Sequence, residues 1–401
     1  MKRRLFINLI GLALVPILSS CVVGTNPIDS SNGGSFTFSI SGTLNKKSYD
    51  FYDEWDPTGL SFYKNASNGT KELIDPSKYT ITFSPAKPRG FNGSKVNVVM
   101  AMREDVSQRA TKSLTGLSVS YEPYDETVYN AEVAEYYTNV NLEQSSTNLL
   151  KELQKLTFKK HTTWVTYNNV AKYHSISAEA CSTEQVPGTY NKELFYTGYT
   201  AVNSGGSREH VWPCSVSSGL WYHGNKSNPN DTSDVDNESK YVGGGSDLFH
   251  VRPSANNVNE KRGNAPFADL SSYSNTSEVG DGRTGTKKLK GTGSNSYGQF
   301  TKVEPDDSFK GDVARIIAYV YMHYHTFSGV TGIANYNDLT SSSLSLNSVV
   351  SASNIGSLLK KWDELDPPSE VEKYRNHTVM GIQGNRNPFI DIPGLVGQCF
   401  A

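Results

Sequence analysis

The chain has 401 residues, 36% of them apolar and 19% charged, with 38 Lys+Arg against 40 Asp+Glu for a net charge of −2. That length suits two domains, and the balanced charge excludes a global basic field, so any phosphate-binding surface must be local. A chain with 34 Gly, 17 Pro and 23 Tyr is also no long helical bundle, coiled coil or polytopic membrane protein; it suits a loop-rich β or mixed extracellular protein.

Lys2, Arg3 and Arg4 precede an apolar run from Leu5 to Leu18, then Ser19, Ser20 and Cys21. A positive start, a short apolar stretch and small residues form the layout of a secretory signal. Interrupted by Asn8 and Pro16, the run falls short of the ~20 residues that span a bilayer. Leu18-Ser-Ser-Cys21 resembles a bacterial lipobox, which implies a lipoprotein signal peptide over 1–20, acylation of Cys21 and attachment to the extracellular face of the membrane. An ordinary cleaved signal, and a secreted protein, is the alternative. Residues 21–35 read as a flexible tether. Cys181, Cys214 and Cys399 contain no C-x-x-C pair, so they give no zinc signal; one disulfide with a leftover thiol and buried free thiols both stay open.

From 36 to 123 the pattern is strand-like. Phe36, Phe38 and Ile40 alternate with polar residues, as do Tyr79–Phe83 and Leu117–Tyr121, and Val96–Met102 is a β-rich apolar run. Short strands punctuated by Gly, Pro and Asn predict a β-sandwich. Trp55-Asp-Pro-Thr-Gly-Leu60, followed by Lys78-Tyr-Thr-Ile81, resembles a bacterial immunoglobulin-like domain, which implies a spacer or adhesive module. Residues 124–144, rich in Tyr and acids, read as a connector.

Helical periodicity begins at 145. Leu149, Leu150, Leu153 and Leu156 share one face, opened by Thr147 or Asn148. A longer helix starts at Ser308 behind Asp306 and Asp307, with Phe309, Val313, Ile316, Ile317, Val320, Tyr321 and Tyr324 at 3–4 spacing. Ile355, Leu358, Leu359 and Trp362 predict a third. A Gly-rich, short-strand region from Phe195 to Arg283 lies between the first two, so the whole chain reads as α+β.

The chemistry concentrates in Ser207–Pro213, Asp247–Ser254 and Asn259–Asn264. Glu209 and Asn259 offer oxygen ligands for a hard divalent ion, His210 an imidazole able to take a proton, and Arg208, Arg252 and Arg262 forks for phosphate. Together these groups suit phosphodiester hydrolysis, which needs activated water and neutralisation of charge growing at phosphorus. There is no H-E-x-x-H, G-x-S-x-G or P-loop. His323 and His325 stand two apart on a helix, so they share no face and are not expected to bind one metal. Asp231, Asp234, Asp236 and Glu238 lack EF-hand spacing and read as a solvated loop. Arg283, Lys287, Lys288, Lys290 and Lys302 make a locally basic, Gly-rich stretch, a candidate flank for backbone binding. Gln383–Asp391 reads as a structural turn, and Trp362 and Phe389 as core.

Arg208-Glu-His-Val-Trp-Pro213, Asp247-Leu-x-His-x-Arg-Pro-Ser254, Asn259-x-x-Arg-Gly-Asn264, Phe309-Lys-Gly-Asp-Val-Ala-Arg315, Asp366-Pro-Pro-Ser369 and Gln383–Asp391 occur in that order. The series resembles the bacterial endonuclease I family of secreted, sugar-nonspecific nucleases with a ββα-metal (His-Me finger) site, over 145–401. The resemblance implies His210 as general base, and Glu209 and Asn259 as ligands of one Mg²⁺ (or Ca²⁺ or Mn²⁺). It implies DNA as substrate, with RNA left open; no protein partner is evident from the sequence. One departure is Phe249, where the family carries Asp-Leu-His before a further His or Asn. Phe249 cannot hydrogen-bond, so any orienting role there is lost or passes to His250. The alternative is a surface-anchored binding or adhesion protein with a degenerate nuclease domain. With Glu209 and His210 adjacent on a strand, a local irregularity is expected if both are to meet one centre.

Overall fold

A computed structural model describes residues 36–91, 95–120, 122, 124–174, 192–201, 207–216, 220, 242–333 and 339–401. The signal segment 1–20, Cys21, the tether to Ser35, Cys181 and the acidic run Asp231–Glu238 lie outside the described residues. The chain divides into two compact units: residues up to Thr43 with Thr58–Thr82 and Asn97–Leu114, and Leu44–Pro57 with Phe83–Val96 and Thr115–Ala401.

Small sheets build the first unit. Phe36–Gly42 pairs antiparallel with Leu60–Ala66, which pairs antiparallel with Lys71–Leu73. Tyr79–Ser84, Val96–Met102 and Arg109–Leu114 form another three-stranded sheet. Alternate side chains of a strand face opposite ways, and the apolar alternation follows: Phe36, Phe38 and Ile40 are buried, as are Val96, Val98 and Met100. Phe62, in register with Ile40, stacks on Phe38 at 5.3 Å, and Tyr79 meets it edge-on at 5.2 Å. Burial of each such ring contributes about 1.5–3 kcal/mol. Gly42 has φ +83°, and a Cβ there would lie 1.9 Å from the Gly59 carbonyl oxygen, so the strand end requires glycine.

The second unit is organised on the helix Lys310–Tyr324, whose residues Gly311–Val320 are buried without a break. A helix apolar on nearly all sides belongs in a core. The expected start at Ser308 is a short 3₁₀ turn, Asp307–Phe309, capped by the Asp306 side chain, and the α-helix proper begins two residues later. Ser146–Lys160 packs on it through Leu149, Leu150 and Leu153, and Ile355–Leu365 through Leu358, Leu359 and Trp362. Gly311 permits close approach, since a Cβ would lie 1.8 Å from the Asp366 carbonyl oxygen. One turn on, Arg315 donates to Glu372, Asp363 and the Asp366 carbonyl, fastening the helix Glu370–Gln383. That helix opens with a Ser369/Glu372 capping box, which satisfies two otherwise orphaned N–H groups. The stretch read as a connector holds a further helix, Glu126–Tyr136, whose first amides donate to Asp125. Cys214 and Cys399 are free and buried. Among the described residues no helix is long and apolar enough to cross a membrane.

Within this unit Ser207–His210 pairs antiparallel with Val251–Ser254, Glu209 opposite Arg252 and His210 opposite Val251. The helix Asn256–Arg262 follows after Ala255. The irregularity expected at Glu209 and His210 does not occur: pairing is continuous through His210 and the chain bends only at Val211 and Trp212.

Candidate active site

This strand–strand–helix unit brings Arg208, Glu209, His210 and Asn259 to the wall of one cavity of about 320 Å³, bounded further by Pro213, Cys214, Ser215, Arg262 and Gln299. Glu209 and His210 leave opposite faces of a regular ribbon, and the cavity reaches both because it lies where that ribbon ends.

His210 Nε2 is 2.9 Å from the Gly245 carbonyl oxygen. A carbonyl only accepts, so Nε2 carries the proton and Nδ1 the lone pair. The ring stacks on Tyr167, with centroids 5.8 Å apart and planes 16° from parallel. Burial first, then the neighbouring His250, lower its pKa to about 3 against the opposing pull of the Gly245 bond. The imidazole is therefore neutral at physiological pH, the state a general base requires. Gly245 is itself held, donating its N–H to the Leu220 carbonyl at 2.7 Å. His250 bridges the same loop to the strand exit: Nδ1 donates to the Gly244 carbonyl and Nε2 accepts the Trp212 N–H at 2.9 Å.

Glu209 is 1% exposed. Its Oε1 accepts the Tyr196 hydroxyl at 2.7 Å and lies 3.5 Å from Arg262 Nε. Burial raises the carboxyl pKa, and Arg262 and Tyr196 pull it back. Among the described residues Tyr196 is the one non-glycine at positive φ, +71°, a conformation costing about 1–3 kcal/mol and found where a site demands it. Asn259 Nδ2 donates to Ser207 Oγ at 2.9 Å and to the Arg208 carbonyl at 3.3 Å. With its amino group so engaged, the carboxamide presents Oδ1 as its acceptor. A carboxylate and a carboxamide oxygen beside one cavity are hard ligands, the donor set that Mg²⁺, Ca²⁺ or Mn²⁺ takes.

The three arginines differ. Arg208 lines the cavity with its guanidinium 3.8 Å from the Tyr167 ring and a bond to the Tyr167 carbonyl. Arg262, 1% exposed, donates to the carbonyls of His210, Val211 and Gly263, so it braces the strand exit. Arg252, 3% exposed, lies over Phe195 and 3.4 Å from Asp312, and is not among the cavity's lining residues.

Residues 124–394 match the family model described as Endonuclease I. The chain belongs to the Endonuclease I family. These are nucleases, hydrolases of phosphodiester bonds. A Bacillus amyloliquefaciens protein named extracellular ribonuclease is 32% identical over 222 residues, covering 53% of this chain and 62% of that protein. A protein of the same name from Bacillus subtilis (strain 168) is 29% identical over 296 residues, covering 72% and 83%. The chain thus spans less than two thirds of the first relative's length.

In this Endonuclease I domain Phe249 is fully buried, its ring 5.1 Å from that of Tyr319. It packs in the core away from the cavity, and His250 takes the polar bridging. A second group with metal-ligand chemistry is His161, Asp247 and His323, all buried and with ligand atoms within 4.8 Å of one another. His323 reaches Thr157 and His161 with its ring nitrogens and stacks on Tyr319 of its own helix. Asp247 already accepts from Tyr319, Tyr324, the Phe249 N–H and Gln383. His161 Nδ1 is 3.3 Å from His323 Nε2. A cation between Asp247 and the paired ring nitrogens would compete with these bonds, while His161 Nε2 is buried without a hydrogen-bond partner among the described residues. The basic stretch is largely offset: Arg283, Lys287, Lys288 and Lys290 lie within 3.8 Å of Asp281, Asp306, Glu278 and Glu304.

Proposed function

We propose that the chain is a metal-dependent, largely sequence-nonspecific endonuclease built on a ββα-metal site. His210 Nδ1 takes the proton of a water attacking phosphorus, the bond to the 3′ oxygen breaks, and a 5′-phosphate end remains. Glu209 and Asn259 Oδ1 hold one hard divalent ion, which when bound neutralises charge developing on the phosphate and the departing oxygen. Arg208, on the cavity wall, pairs with a phosphate oxygen, while Arg262 positions the strand exit. The observation that carries the reading is the shared cavity of Glu209, His210 and Asn259, with the imidazole locked by Gly245. The ribonuclease names of the Bacillus relatives support RNA beside DNA as substrate. Chelation with EDTA abolishes cleavage of plasmid and of RNA, and added Mg²⁺ or Mn²⁺ restores it; turnover in a metal-free sample would remove Glu209 and Asn259 as ligands.

The N-terminal strands are read as an immunoglobulin-like sandwich acting as a spacer, supported by their alternating burial. Cys21 is read as the lipidated residue of a surface-anchored protein, supported by Leu18-Ser-Ser-Cys21 and by the extracellular naming of the relatives. A lone acyl chain binds membranes only marginally, whereas two or more anchor stably. Cys21→Ser therefore moves the expressed protein from the membrane fraction to the medium; an unchanged partition refutes the anchor.

A further inference from the structure

Beside the cavity, residues 295–299 form a tight turn. The Asn295 Oδ1 accepts the N–H groups of Tyr297 and Gln299 at 2.9 and 3.0 Å, and Nδ2 donates to Gln299 Oε1 at 3.0 Å. Asn295 N–H bonds the Gln299 carbonyl and Gly298 N–H the Asn295 carbonyl. Lys261 ties the turn to the helix that carries Asn259: its Nζ donates to the Gly298 carbonyl at 2.6 Å and its own carbonyl accepts the Phe300 N–H at 2.9 Å. Gln299 lines the cavity, its carboxamide seated where a Cβ on Gly263 would be, 2.3 Å away. On this braced turn Tyr297 is 85% exposed, the most exposed large apolar side chain among the described residues. Consecutive Cα atoms are 3.80 Å apart, so the Tyr297 Cα lies within about 7.6 Å of that of Gln299.

We propose that Tyr297 is a stacking platform for an unpaired nucleobase next to the scissile phosphate, and that it biases the enzyme toward single-stranded nucleic acid. The inference rests on the nuclease reading above. An aromatic ring held out in water by a stiff turn loses little further freedom when a base lies on it, and every base offers a π-face, so the contact is sequence-tolerant. Bases in a duplex are stacked on their own neighbours and cannot reach the ring without being unpaired. The anchoring of the turn to the Asn259 helix fixes the platform relative to the cavity, so stacking also sets where the phosphate falls.

The test measures binding of a fluorescent single-stranded oligonucleotide in EDTA, where it stays intact, and cleavage of single- and double-stranded substrates in Mg²⁺. Tyr297→Ala weakens single-strand binding by about 5- to 150-fold and lowers the single-over-double-strand ratio of kcat/KM by the same factor. Tyr297→Phe and Tyr297→Trp keep the wild-type values. A 2-aminopurine base in the oligonucleotide is quenched on binding to wild type and to both aromatic variants, but not to Tyr297→Ala. If wild type cleaves yet Tyr297→Ala binds and quenches unchanged, the platform is refuted and the nuclease reading stands. If wild type binds with a Tyr297-dependent affinity but cuts nothing in any divalent ion, the nuclease reading falls and the platform stands; a wild type that neither binds nor cuts overturns both.

Discussion

His210→Ala lowers kcat for phosphodiester cleavage by about 10²–10⁴-fold, the range of a lost general base, and leaves the protein folded. The side chain is only partly buried at the cavity wall, and its loss removes the bond to the Gly245 carbonyl. With Nε2–H given to Gly245, the proposed deprotonation of water uses Nδ1. A pKa lowered to about 3 keeps the imidazole neutral, though it alone would make a weak base. A phosphodiester bound beside Arg208 brings the opposite charge and raises the imidazole toward a pKa suited to accepting a proton. Added imidazole should then restore part of the activity of the alanine variant, because the missing group is small and the cavity open. Wild-type turnover in His210→Ala, or a variant unfolded at room temperature, would count against this assignment.

What could be read from the chain followed how directly each residue's burial repeats. Phe36, Phe38 and Ile40, or the leucines from Leu149 to Leu156, mark one face at the period of a strand or helix, and their elements are where that period places them. The helix Glu370–Gln383 buries Arg375, Asn376, His377, Thr378 and Gln383, so its inward face is polar and apolar periodicity passes over it; the Ser369-x-x-Glu372 cap was its one local signal. Leu60–Ala66 mixes burial grades without a clean alternation, so apolar periodicity does not mark it either. At the site, the blocks around Arg208–His210 and Asn259 name side chains, and those side chains share a cavity. The Gly245 carbonyl that sets the His210 tautomer has no residue-type signature at all. Tyr196, which bonds Glu209, lies 13 residues away in a stretch with no motif, and His161 meets His323 only through tertiary packing.

Glu132→Gln destabilises the second unit by about 3–5 kcal/mol, the cost of removing one partner from a buried ionic network. Glu132 sits in the helix Glu126–Tyr136, the segment whose composition suggested a linker. Its Oε1 receives Arg89 and Lys87, and its Oε2 receives Arg386 and, at 2.7 Å, His377 Nδ1. Arg89 and Arg386 are 2% and 0% exposed, so neither can turn to water. Arg386 keeps Asp391, which also accepts the hydroxyls of Tyr129 and Tyr137, but Arg89 would lose its carboxylate partner and keep the His377 carbonyl and Met380 sulfur. Although burial alone would raise the Glu132 pKa, Arg89, His377 and Arg386 together hold it far below its ordinary 4.5. A carboxyl depressed on folding contributes stability that is complete above its unfolded pKa and is lost as pH falls toward the folded value. The gap between wild type and Glu132→Gln in urea melts should therefore be constant from about pH 6 to 8. Below the ordinary pKa it should narrow by about 1.4 kcal/mol per pH unit. A gap that stays the same at pH 3 would mean that Gln fails there for reasons of shape, and that the charge of Glu132 does not hold its basic neighbours together.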